Sequence, residues 1–129
     1  MKEHKLGAME AKFAQLIWDN VPIASGELVK LCEGEFGWKK STTYTMLRRL
    51  CERGIFKNAD GAVTAVKTRA EFDALLSEEF VNETFGGSLP KFFAAFSMRT
   101  RLSESEIDEL ERLINSHKSE KAGEDGADD

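Results

Sequence analysis

The residues of this chain best suited to acting on a partner are gathered in one run, Lys39-Lys40-Ser41-Thr42-Thr43-Tyr44-Thr45, followed closely by Arg48 and Arg49. Hydroxyls stand beside cations, and no carboxylate interrupts them before Glu52. Such a surface suits phosphates, which accept charge-assisted hydrogen bonds, and base edges, which short polar or aromatic side chains reach in the major groove. The chemistry expected here is therefore recognition of nucleic acid.

A helix must carry this surface. Met46, Leu47, Leu50 and Cys51 recur at spacings of three and four, Ser41 can cap the start, and Gly54 supplies the left-handed residue that stops it. Residues 38–54 are thus read as a recognition helix. Upstream, Met9, Phe13, Leu16 and Ile17 share one helical face that ends at Asn20, before Pro22, with Trp18 expected to be partly buried. Val21-Pro22-Ile23 suits a strand fragment, and Ser25 opens a second helix with Leu28, Leu31 and Cys32 on its inner stripe and Gly37 at its close. Three helices in this order form a helix-turn-helix unit. Beyond Gly54 the period becomes extended: Ile55-Phe56-Lys57, a turn over residues 58–61 around Asp60-Gly61, then Val63-Thr64-Ala65-Val66. This hairpin makes the unit a winged helix, with Lys57 and Lys67 expected on its strands facing backbone phosphate.

The remainder is helical. Thr68 with Glu71 forms a capping box ahead of Phe72, Leu75, Leu76 and Phe80, and Phe85 precedes a Gly86-Gly87 bend. Ser88-Leu89-Pro90 starts a helix bearing Phe92, Phe93 and Phe96; Ser103 with Glu106 starts another bearing Ile107, Leu110, Leu113 and Ile114. No further strand or long partner within the chain is left to cover these faces. A homodimer is expected, built on Phe80, Phe85, Phe92, Phe93, Phe96, Ile107, Leu110, Leu113 and Ile114. The fold class is mainly α with a small β-hairpin: a winged helix-turn-helix domain over residues 1–70, a helical dimerisation domain over 71–117 and a disordered acidic tail over 118–129.

The formal net charge of -5 hides a segregation. Residues 38–69 hold eight cations against two anions, a net +6, whereas residues 118–129 hold two cations against five anions. Local field decides where a polyanion binds, so the basic segment favours DNA. The rival reading is a winged helix that docks protein or dimerises without touching DNA, which would not need cations clustered on a threonine-rich face. An acidic tail that competes with DNA for the basic face is a further expectation to test. Enzymatic chemistry finds no support: His4 and His117 lie near opposite ends, Cys32 and Cys51 sit in apolar stripes, and no nucleophile has a base at a recognisable spacing. No cofactor or metal is expected. With no apolar run of membrane-spanning length and no signal-peptide core at the start, a soluble cytoplasmic protein is expected, without membrane insertion.

From residue 6 to about residue 116 the chain resembles the penicillinase and methicillin-resistance repressors, with which copper-responsive repressors are grouped. The resemblance is carried by Leu16-Ile17-Trp18, by Ser41-Thr42-Thr43-Tyr44-Thr45 with Leu47, Arg49 and Leu50, by Gly54, by Phe85-Gly86-Gly87 and by the helix from Leu102-Ser103 to Leu113. It implies a homodimeric transcriptional repressor with N-terminal winged helices, intertwined C-terminal helices and a dyad-symmetric operator overlapping a promoter. It also implies that Thr43 and Tyr44 lie near bases, while Lys39, Lys40, Ser41, Arg48 and Arg49 hold phosphates. In antibiotic-responsive members a membrane sensor protease cuts between an asparagine and a phenylalanine. Ala95 and Phe96 fall at that position here, so cleavage by such a partner is not expected. The cysteine-rich metal motif of the copper-responsive members has no counterpart in residues 118–129, so copper sensing is not expected either.

Overall fold

Phe13, Ala14 and Ile17 repeat at helical spacing and are fully buried, and α1 (Ala8–Asn20) forms around them. The helix ends just ahead of Pro22, which has no N–H with which to extend it. In the computed structural model, which describes residues 5–128 and side chains as far as residue 121, β1 (Ile23–Ala24) follows and leads directly into α2 (Ser25–Phe36), whose Leu28 and Cys32 turn inward. His4 and Asp129 lie outside the described residues.

The recognition helix is α3 (Lys40–Glu52), which buries Thr43, Leu47 and Leu50. Ser41 is not its cap. Lys39 holds the N-cap position in extended conformation without a side-chain cap bond, and Ser41 is the second residue of the helix. The stop is as expected, with Gly54 at φ +79°, where a side chain would be strained.

The wing is β2 (Phe56–Ala59) and β3 (Ala62–Ala65), joined by a two-residue turn in which Asp60 and Gly61 both have positive φ. That geometry matches the right-handed twist of the strands it connects. Asn58 and Ala59 belong to β2, so the turn is tighter than the four residues expected. β1 pairs with the outer side of β3, Ile23 opposite Val63, giving a three-stranded antiparallel sheet of order β1-β3-β2. Phe56 and Val63 turn from this sheet into the core.

Thr68 caps α4 (Arg69–Phe85): its hydroxyl accepts the Glu71 N–H at 3.1 Å and its own N–H donates to Glu71 Oε1 at 2.8 Å. Phe72 on this helix is 3% exposed and lies 5.6 Å, ring to ring, from Trp18. The core runs from Phe13 to Phe72 and includes Leu28, Leu47, Leu50, Ile55, Phe56 and Val63. Each fully buried side chain of this size contributes about 1.5–3 kcal/mol.

Two compact units result, Met1–Gly87 and Ser88–Asp129. α4 falls with the first, beyond the boundary at residue 70 drawn from sequence, because Phe72 and Leu76 pack on the winged-helix core. The second unit holds α5 (Leu89–Arg99), capped by Ser88, and α6 (Glu104–Asp128). No apolar side chain of this unit is fully buried among the described residues, and Phe93, Phe96, Ile107, Leu113 and Ile114 are exposed. α6 continues through the segment from residue 118 for which disorder is expected from composition. No helix among the described residues is long and apolar enough to cross a membrane.

Candidate nucleic-acid interface

Burying Thr43, Leu47 and Leu50 fixes the rotation of α3 about its axis. Ser41, Thr42, Thr45, Arg48 and Arg49 are thereby exposed, joined by Lys39 and Lys40 at the start of the helix. Ser41, Thr42, Thr45, Met46 and Arg49 line an open hollow on this face, and Arg49 Nη1 lies 3.8 Å from Met46 Sδ. Lys57 is exposed on β2, opposite Thr64. Lys39, Lys40, Arg48, Arg49 and Lys57 have no carboxylate partner among the described residues, so their charge is available to an anion.

Other cations of the basic segment are committed internally. Arg53 donates to the Lys5 carbonyl at 3.3 Å and lies 3.8 Å from Glu10. Arg69 pairs with Asp73 at 3.1 Å and lies over the Trp18 ring. Lys67 is a correction to the sequence reading: it follows β3 rather than lying on it, and its Nζ donates to the Gly54 carbonyl at 3.4 Å. The basic surface is therefore narrower than the net +6 suggests.

Thr43 is a second correction. It is 1% exposed and faces the core, so it does not reach a base edge. Its hydroxyl has no well-formed hydrogen bond; the Cys32 thiol on α2 is its polar neighbour. Burial raises the Cys32 pKa, opposed by Thr43, and burial likewise raises that of Cys51, opposed by the backbone at Asn58. Both sulfurs are free thiols. Tyr44 is half-buried, and its hydroxyl donates to Ser25 Oγ at 3.2 Å, bracing α3 against the first residue of α2. The sequence reading passes over Ser25 and Met46 as members of this surface. Met46 was legible, standing four residues after Thr42 and three before Arg49 on one side of a helix.

The apolar set assigned to dimerisation divides between the units. Phe80 and Phe85 stand 5.8 Å apart on α4, and Phe92 and Phe96 stand 5.9 Å apart on α5. Leu110 is half-buried on α6. The bond between Ala95 and Phe96 lies within α5. No three His, Cys, Asp or Glu side chains are grouped to hold a metal among the described residues.

A helix-turn-helix followed by a hairpin, with a cationic and hydroxyl-bearing face on the second helix of the turn, defines a winged-helix DNA-binding protein. The chain belongs to the penicillinase repressor family, whose pattern it matches over residues 6–116, and it is thus a transcriptional regulator of the repressor type. It is 27% identical to the penicillinase repressor of Bacillus licheniformis over 116 residues, covering 87% of this chain and 91% of the relative. It is 22% identical to the methicillin resistance regulatory protein MecI of Staphylococcus aureus over 118 residues, covering 88% and 96%. The corresponding protein of Mammaliicoccus sciuri is 21% identical over the same length.

Proposed function

We propose that the chain acts as a cytoplasmic homodimeric repressor that occupies a pseudo-palindromic operator at a promoter. The observation that carries this reading is the exposed face of α3, where Ser41, Thr42, Thr45, Arg48 and Arg49 stand together, the two cations without a carboxylate partner among the described residues, in a member of a repressor family. Lys39, Lys40 and Lys57 flank that face and hold phosphates, while Tyr44 acts by fixing α3 on α2. Two protomers are joined through the apolar faces of α5 and α6, with Phe80 and Phe85 contributing from α4. α5 has 11 residues, and no apolar side chain of its unit is fully buried among the described residues; a helix so short is marginal alone in water, which supports burial of this unit against a second copy. Release by a sensor protease acting between Ala95 and Phe96 is not part of the proposal, since the asparagine before the phenylalanine is replaced.

The test is binding of the purified chain to fragments of its own upstream region at two salt concentrations, with its mass in solution followed in parallel. Salt-sensitive binding of a dimer to one fragment supports the reading. A folded protein that binds no upstream fragment, or binds every DNA equally, contradicts it.

A further inference from the structure

The hollow on α3 is the apolar spot in an otherwise cationic, hydroxyl-bearing face. Its floor is Met46, which is half-buried and packs against the core, so the thioether is held in place from below. Its walls include Thr42 and Thr45, both exposed and each carrying a methyl beside its hydroxyl, and Arg49 stands at the rim. On the major-groove edge of B-DNA the apolar group is the C5-methyl of thymine, whereas the other bases present donors and acceptors alone. We propose that this hollow takes the C5-methyl of one thymine in each operator half-site, with Met46 the residue that sets specificity there. This rests on the repressor reading above. A cytosine at that position leaves Met46 uncovered, and a purine sets polar groups against its thioether, which is only a weak acceptor.

The test uses the full chain and the upstream fragment that it binds, prepared once with thymine and once with deoxyuridine throughout, which removes the C5-methyls. One buried methyl corresponds to about a fourfold effect, so a dimer on two half-sites should bind the uracil fragment roughly fifteenfold more weakly. Restoring single thymines should place the effect at one symmetry-related position. Met46→Ala should lower the ratio between the two fragments, and because the ratio is taken within one protein, general weakening does not enter it. Since Met46 also touches the core, a second variant combines Thr42→Ser with Thr45→Ser; it keeps both hydroxyls and should lower the thymine preference. If Met46→Ala does not fold, the double variant decides. Equal binding of the two fragments by the unmodified protein overturns the inference. So does a full preference retained in the variants, which would place the effect in DNA shape rather than in the hollow. A folded chain that binds no upstream fragment in its ordinary thymine form refutes the repressor reading itself, and this inference with it.

Discussion

Trp18 donates its indole N–H to the carbonyl of Lys67 at 2.9 Å, tying the first helix to the chain as it leaves the wing. The same ring lies 5.2 Å from Phe56 and 5.6 Å from Phe72, so α1, the wing and α4 meet on one side chain. Lys67 in turn reaches the Gly54 carbonyl at the end of the recognition helix. Trp18→Phe keeps an aromatic ring but leaves the Lys67 carbonyl without its donor. A loss of about 1 kcal/mol in urea unfolding is expected, and unchanged stability would show that the bond contributes nothing net.

Thr43 is enclosed with a hydroxyl that lacks a proper partner. Thr43→Val keeps the shape and removes the buried polar group, so the fold should gain on the order of 1 kcal/mol. Operator affinity should not change. A marked fall in affinity in the stable variant would return Thr43 to the DNA surface.

Much of this arrangement is written in the order of residues, and the places where it is not have physical causes. The end of α3 at Gly54 and the centre of the turn at Asp60-Gly61 are backbone requirements that only certain residues satisfy, so both are legible, whereas the pairing of Asn58 and Ala59 in β2 is not. At Thr43 the hydroxyl points to the DNA surface and the spacing points to the core as rival signals in the sequence, and the spacing decides. It stands four residues before Leu47 and seven before Leu50, the period of a buried stripe, and the helix turns it inward despite its polarity. The charge of Lys67 does not reveal that its side chain folds back onto the Gly54 carbonyl. The boundary at residue 70 differs from the edge of the first compact unit, Gly87, for another reason: the period of α4 announces an apolar face but not which unit covers it.

The pH response of α4 follows from its cap. The Thr68 N–H, and secondarily the Thr68 hydroxyl, hold the Glu71 pKa below the ordinary glutamate value. A carboxylate with a depressed folded pKa stabilises the fold above its unfolded value of about 4.3, and that contribution is lost as pH falls through the folded value. Helicity of the native protein and of Glu71→Gln should therefore differ near neutral pH and converge in acid. A constant gap across the titration would contradict the role of the charge.

Cations on the open face should separate from those held within the fold. Arg49→Ala should weaken operator binding by about 1–3 kcal/mol, and Arg48→Ala should lower the salt slope by about one if it meets a phosphate. Arg53→Ala, whose guanidinium is engaged with Lys5 and Glu10, should leave the slope unchanged. Anisotropy titrations over a salt series distinguish the three, and identical slopes for Arg48→Ala and the unmodified protein would remove Arg48 from the interface.

The most direct test of the central claim is a hydroxyl-radical footprint of the full chain on its own upstream region, with the protein-to-DNA ratio determined on the same complex. The account expects two protomers on one site, with protection related by a dyad and the half-sites separated by about one helical turn, ~34 Å, or a multiple of it. Protection by a single protomer, or a footprint without a dyad from a protein that is folded and dimeric, would contradict it.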